Sequence, residues 1–345
     1  MREAFADYLR VLRPGGAVAL LVNDDLLQRK LIRTAAEVLE AQGVDAASSI
    51  AGVTSALDSP YDRLILVNSQ PFSTAQRAQL ATEVRQRGYD EVQHASSAEP
   101  ASDDRPFVFH TRGAIPRALL LLLATASALL LVAWSAVGWV GRAAPRQSAV
   151  TSGYFVLLGV AFMMVEVLAL QKSILIIGYP TLNLAVILAT FLLAAGLGSA
   201  ASSRIAPSLR RLRLLVLLLG ALLLLLVPLL DAVHARSDTW PLALRCMALA
   251  ALLFPFAFLM GMPFPVGIRH LPPHLVAMVP WIWGLNGTGS ILGSAVAVAV
   301  VLEAGFRVTV LLPALAYVLA AVLTPALEST RLPLSGSAKS MNPRA

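Results

Sequence analysis

Apolar and polar positions alternate in two different ways along the chain, and the change falls near Arg112. Upstream, apolar residues come in short runs between turn signals. Glu3 to Leu12 has the spacing of an amphipathic helix, and Arg13-Pro14-Gly15-Gly16 stops it. Ala17-Val18-Ala19-Leu20-Leu21-Val22 is a continuous apolar run after a turn, which predicts a strand buried on both faces. Asn23-Asp24-Asp25 supplies caps for a helix from Leu26 to Ala41, ended by Gly43. A second strand is predicted at Arg63-Leu64-Ile65-Leu66-Val67, then a helix from Ser73 to Arg87 closed by Gly88, then a short strand at Glu91-Val92-Gln93-His94. This alternation of helix and strand predicts part of an α/β sheet over residues 1–94.

Residues 95–113 are rich in Ser, Ala, Asp and Pro near their start and form a linker. From 114 to 327 the apolar runs are long enough to cross a bilayer, about 20 residues at roughly 1.5 Å each. Seven spans are predicted, at 115–138, 152–178, 181–202, 212–231, 241–264, 277–302 and 307–326. Leu214 to Leu230 is almost pure Leu and Val and should face lipid. Residues 328–345 are a polar tail. The expected fold is therefore an α-helical polytopic membrane domain of about seven spans, preceded by a partial α/β domain.

Composition agrees with this division. The chain has 345 residues, 57% hydrophobic and only 14% charged, which excludes an ordinary soluble enzyme or a disordered chain. Residues 1–113 hold 12 Lys+Arg and 15 Asp+Glu, whereas residues 114–345 hold 15 and 5. The net charge of +7 thus comes from segments between apolar runs, where membrane proteins keep their arginines, and nucleic acid is not an expected partner. Cys246 is the single cysteine, so no internal disulfide and no CxxC metal site can form. The five histidines show no metal-ligand spacing, and no Ser/His/Asp arrangement is visible; no catalytic or metal residue is assigned.

Several motifs carry a resemblance. Phe5-Ala6-Asp7-Tyr8-Leu9-Arg10-Val11-Leu12-Arg13-Pro14-Gly15-Gly16, followed by an apolar strand, resembles the segment before the fifth strand of S-adenosylmethionine-dependent methyltransferase-like folds, which spermidine synthases share. Asp103-Asp104-Arg105-Pro106-Phe107, Gly153-Tyr154-Phe155 through Met163-Met164-Val165-Glu166-Val167 to Leu170-Gln171-Lys172, and Gly178-Tyr179-Pro180-Thr181 extend the match. So do Gly196-Leu197-Gly198-Ser199, Gly261-Met262-Pro263-Phe264-Pro265-Val266-Gly267-Ile268-Arg269 and Trp281-Ile282-Trp283-Gly284-Leu285-Asn286-Gly287. Together they resemble bacterial polytopic proteins described as membrane-fused spermidine synthase-like or methyltransferase-like. The resemblance implies a Rossmann-like α/β part, a bacterial inner-membrane location and an aminopropyl- or methyl-transferase activity. It also implies a Gly-rich loop and acidic residues that bind S-adenosylmethionine or its decarboxylated form, on strands that would precede Met1. No such loop occurs before residue 100, so this chain alone is expected to bind no cofactor. An upstream segment or a second chain would supply the missing half of the sheet, and membrane lipids are the other expected partner.

Charged and polar groups inside spans cost free energy, about +2.5–3.5 kcal/mol for a charge on insertion scales, and each is a candidate functional group. Glu166 and Lys172 lie in the second span. Six positions at about 100° each leave them about 240° apart, on different faces, with Gln171 about 100° from Lys172. Lys172 is expected to snorkel to the near interface and Glu166 to hydrogen-bond a neighbouring helix; the sharper alternative is an ion, proton or substrate path. Thr181 or Asn183 would cap the third span, the alternative being a helix N-terminus aimed at an anion. Pro255, Pro263 and Pro265 predict a kinked or broken helix, with Arg269 beyond it as an interfacial anchor. The small residues Ala194, Gly198 and Ser202, and the pair Gly289 and Gly293, predict close helix packing, with Asn286 as the one polar candidate there for contact with a ligand. The function expected is the membrane portion of a fused transferase-like protein. A transporter using Glu166, Lys172 and Asn286, or a structural subunit for a separate catalytic chain, stand as alternatives. The resemblance places the N-terminal part in the cytoplasm, whereas the arginines between spans three and four favour the reverse.

Overall fold

A computed structural model describes residues 2–13, 15–22, 24–55, 63–92, 104, 115–142 and 144–324. The chain divides into two compact units, Met1–Pro116 with Val301–Phe306, and Arg117–Val300 with Arg307–Ala345.

The first unit contains α1 (Arg2–Val11), β1 (Ala17–Val22), α2 (Asp25–Ala41), α3 (Ala46–Ser49), β2 (Ile50–Ser55), β3 (Arg63–Asn68), α4 (Thr74–Gln86) and β4 (Tyr89–Val92). Helix α2 starts where the Asp24 carboxylate accepts the Leu27 amide at 2.9 Å, as its sequence predicts. It ends in a Schellman motif: Gly43 adopts φ 76°, its amide donates to the Glu40 carbonyl, and the Val44 amide donates to Leu39. Leu31, Ala35, Val38 and Leu39 recur at helical spacing and are buried against Ile50, Ile65 and Val67 of the sheet and Phe5 and Leu9 of α1. Helix α4 opens with a complete capping box between Ser73 and Gln76.

The four strands lie in the order β1-β3-β2-β4, each antiparallel to its neighbour. Strands β1 and β2 therefore run in the same direction with β3 reversed between them. The register pairs Ala17 with Asn68 and Val22 with Arg63 across β1 and β3, and Ile50 with Val67 across β2 and β3. Strand β1 departs from expectation. It is an edge strand, and only Val22 is buried; Ala17, Ala19 and Leu21 are exposed, Leu21 at 67%. One face of β1 meets α1 and α2. Strand β2 and helix α3 were not predicted, because Gly52 and the flanking Ser and Ala residues interrupt the apolar run. The last strand begins at Tyr89 rather than Glu91, and His94 lies outside the described residues, as do the linker (apart from Asp104) and the tail.

The membrane-type unit comprises α5 (Arg117–Val140), α6 (Pro145–Ile177), α7 (Pro180–Ile205), α8 (Leu209–Leu223), α9 (Leu226–Ser237), α10 (Leu242–Met260), α11 (Pro263–Arg269), a 3-10 turn at Pro273–Met278, α12 (Val279–Ala304), α13 (Phe306–Thr309) and α14 (Leu311–Leu323). Six helical stretches are long and apolar enough to cross a membrane, and α8 with α9 passes the same test as a pair bent by 42°. Pro228 explains the bend: it has no amide to donate to Leu224, and the Leu224 and Leu225 amides turn back to Ala221 and Leu222 instead.

Contacts fix which helix ends lie together. Asn183 at the start of α7 bonds Leu170 and Ser173 near the end of α6, and Arg245 at the start of α10 bonds the Ile176 carbonyl. Asp231 of α9 meets Lys172 of α6. These residues form one end of the bundle, called here the Asp231 end. At the other, the Arg204 end, Arg269 of α11 bonds Ser202 of α7, and His274 bonds Gln147 at the start of α6. Helix α8 starts after a three-residue connection from α7 at the Arg204 end, and α9 reaches the Asp231 end. The bent pair thus runs from one end of the bundle to the other, and counted as one span it brings the candidate crossings from six to seven.

Candidate functional site: polar groups buried in the helix bundle

Helix α6 is 33 residues long and packs against α5, α7, α9, α10, α11 and α14. Its polar residues Ser148, Thr151, Ser152, Glu166, Lys172 and Ser173 are buried. Gly178 at φ 78° closes it with the left-handed conformation that glycine adopts without a Cβ penalty.

Lys172 lies five residues before that end and is 1% exposed. Its Nζ sits 2.8 Å from Asp231 Oδ1, and Arg307 Nη2 stands 3.6 Å from Asp231 Oδ2. Snorkelling was the expectation; the ammonium instead turns inward to a carboxylate on the bent span. Burying it alone would cost several kcal/mol, which the pairing offsets. Asp231 was not singled out from the sequence, because it stands at the margin of a leucine-rich run and reads there as a boundary.

Glu166 is 7% exposed, and among the described residues its carboxyl has no hydrogen-bond or ion-pair partner. The bond to a neighbouring helix expected for it is not formed. Gln171 is half-buried, and its Oε1 accepts from no described donor.

Asn183 is 3% exposed and acts as a clamp. Its Oδ1 accepts from Ser173 Oγ at 2.7 Å and its Nδ2 donates to the Leu170 carbonyl at 2.8 Å. The cap expected of Thr181 or Asn183 is absent, since Tyr179 holds the N-cap position without a side-chain bond and Pro180 fills the first turn. Asn286 donates from Nδ2 to the Phe155 carbonyl at 2.9 Å, and Ser290 donates to Asn286 and Gly159. A Cβ on Gly159 would strike the Asn286 carbonyl, and one on Gly293 would strike that of Val160. Asn286 and the Gly289/Gly293 pair thus seal α12 against α6, as the small-residue spacing predicts. Arg269 is exposed, with Nη2 donating to Ser202 Oγ at 3.0 Å.

The six candidates do not converge. Asn286 meets α6 at Phe155, about 16 Å along the helix from Glu166, and Lys172 lies about 9 Å beyond Glu166 in the other direction. Two further polar anchors had no clear sequence signal. Arg245 donates to the carbonyls of Trp240, Asp238 and Ile176, and Tyr154 donates its hydroxyl to the Pro263 carbonyl at 2.9 Å. The latter bond fixes the start of α11. There the span breaks for two residues at Gly261–Met262, while Pro255 is accommodated inside α10.

The left-handed glycine Gly15 precedes β1 instead of following a strand. The helices after β1 and β3 begin on the capping side chains Asp24 and Ser73, each of which accepts one N-terminal amide. No described group of three His, Cys, Asp or Glu side chains is placed to hold a metal ion. No family model, curated protein or solved structure matches the chain.

Proposed function

We propose that the chain is the membrane-integrated part of an aminopropyl- or methyl-transferase-like protein of a bacterial inner membrane, and that further strands, from an upstream segment or a second chain, complete its sheet at the free edge of β1. That edge is the observation that carries the reading. Strand β1 has a hydrogen-bonded neighbour on one side only, and an exposed apolar edge is a template for another strand. The face beside it holds exposed Leu21 and a cavity of about 290 Å³ between Leu21 and Leu64 of the sheet and Leu80 and Val84 of α4. A reversed strand between two parallel ones, after a helix and a Pro-Gly-Gly turn, also suits the C-terminal end of a methyltransferase-like sheet. Cofactor and catalysis would belong to the added half, and the bundle would anchor it.

A C-terminal tag at the chromosomal locus tests this. The expected result is a membrane band far above 36.6 kDa, or a co-purifying chain that carries a Gly-rich nucleotide loop and is lost with Leu21→Lys. A band at the chain's own mass with no such companion would sink the reading. Micromolar binding of S-adenosylmethionine by the purified chain would overturn the assignment of the cofactor to the added half.

A second reading, a transporter with an intramembrane path, rests on Glu166, whose buried carboxyl makes no described bond. Proteoliposome uptake of a solute, abolished by Glu166→Ala, would favour it over the anchor.

A further inference from the structure

We propose that the Arg204 end of the bundle binds an anionic phospholipid, with its phosphate held by Arg204, Arg210, Arg211, Arg213 and Arg269. These five side chains come from three helix ends that pack together: the last turn of α7, the first two turns of α8 and the last turn of α11. Ala206, fully buried, sits in the short connection between α7 and α8, and Leu212 and Val216 anchor the inner face of α8. All five arginines are left exposed. Arg269 is steadied by its bond to Ser202, two residues and about half a helical turn before Arg204 on α7. The other four have no carboxylate partner among the described residues, and no described Asp or Glu lies at this end. By contrast, the opposite end carries Asp231 and Asp238.

Uncompensated guanidinium groups at a helix-end junction suit a phosphodiester, which accepts their paired N–H donors. A second feature selects a lipid over a free phosphate. Leu214, Leu217 and Leu218 follow the arginines at helical spacing on α8 and are exposed, Leu214 at 59% and Leu218 at 54%. They form an apolar stripe running from the charged rim into the bilayer, where acyl chains would lie below the headgroup.

Native mass spectrometry of the purified full chain, titrated with phosphatidylglycerol or phosphatidylcholine, tests the site. Phosphatidylglycerol should be retained preferentially, and each arginine neutralised should weaken it by about fivefold. Arg210→Gln/Arg211→Gln/Arg213→Gln should lose the preference, the matching lysine variants should keep most of it, and Arg236→Gln at the other end should change nothing. Equal retention of the two lipids by the unaltered chain would overturn the proposal, whether or not the glutamine variant folds. So would displacement of phosphatidylglycerol by glycerol phosphate at similar concentration, since the ligand would then be a free phosphate compound.

Discussion

Replacing Asp231 by Asn removes the carboxylate that stands 2.8 Å from a lysine with 1% exposure. Breaking a buried pair costs about 3–5 kcal/mol, and the lower end applies because Asp231 keeps 32% of its side-chain surface open. Unfolding in mixed micelles should therefore show Asp231→Asn destabilised by about 3 kcal/mol, with Lys172→Met/Asp231→Leu recovering most of the loss. Glu166 gives the opposite expectation. It has no described partner to lose, so the near-isosteric Glu166→Gln should match or exceed the parent in the same assay. A loss as large as that of Asp231→Asn would reveal a partner for Glu166. The sequence exposes both charges but not this difference. Helical periodicity places Glu166 and Lys172 on different faces, yet which neighbour each face meets depends on tertiary packing, and the decisive Asp231 lies 59 residues downstream of Lys172.

Elements of this bundle approach closely where glycine permits it. A Cβ on Gly198 of α7 would land on the Phe258 carbonyl of α10, and one on Gly261 would land on that of Ala195. Gly196, two residues away, has nothing within 4 Å. Gly198→Ala should lower the unfolding midpoint clearly, whereas Gly196→Ala should be neutral or stabilising by up to about 1 kcal/mol from helix propensity. Equal effects would mean that the seam between α7 and α10 is looser than these contacts imply. The close-packing ridge of α7 was legible from spacing, as were the caps of α2, the Gly88 stop after α4 and the long apolar helices, because each depends on local pattern. The sheet was legible only in part. Its antiparallel order and the exposure of β1 come from long-range pairing, which an apolar run alone does not encode. The bend between α8 and α9 was hidden because Pro228 sits within an unbroken apolar stretch.

With α8 and α9 counted as one span, seven candidate crossings place the beginning of α5 and the end of α14 on opposite sides of the membrane. The Arg204 end also carries Arg142 and Arg146 and no described acid, so the positive-inside rule assigns it to the cytoplasm. That charge bias opposes the proposed transferase reading, so a bright fluorescent protein fused after the last span together with active alkaline phosphatase ahead of α5 would count against that reading. The reverse pattern would put the residues upstream of α5 beside the cytosolic adenosyl cofactor, as the transferase reading requires. The fusion pair thus also bears on whether a completed α/β unit has access to that cofactor.

The pairing of Lys172 with Asp231 also sets a schedule. Ribosomes adding about 5–20 residues per second deliver the aspartate roughly 3–12 s after the lysine. During that interval α6 must enter the bilayer with its ammonium not yet matched by this carboxylate. The long apolar remainder of α6 has to carry the insertion by itself. The second half of the bent span then arrives as the late counter-charge, so a stall or cleavage between α7 and α9 should strand a correctly inserted but electrostatically incomplete intermediate, one fit for recognition by membrane proteases.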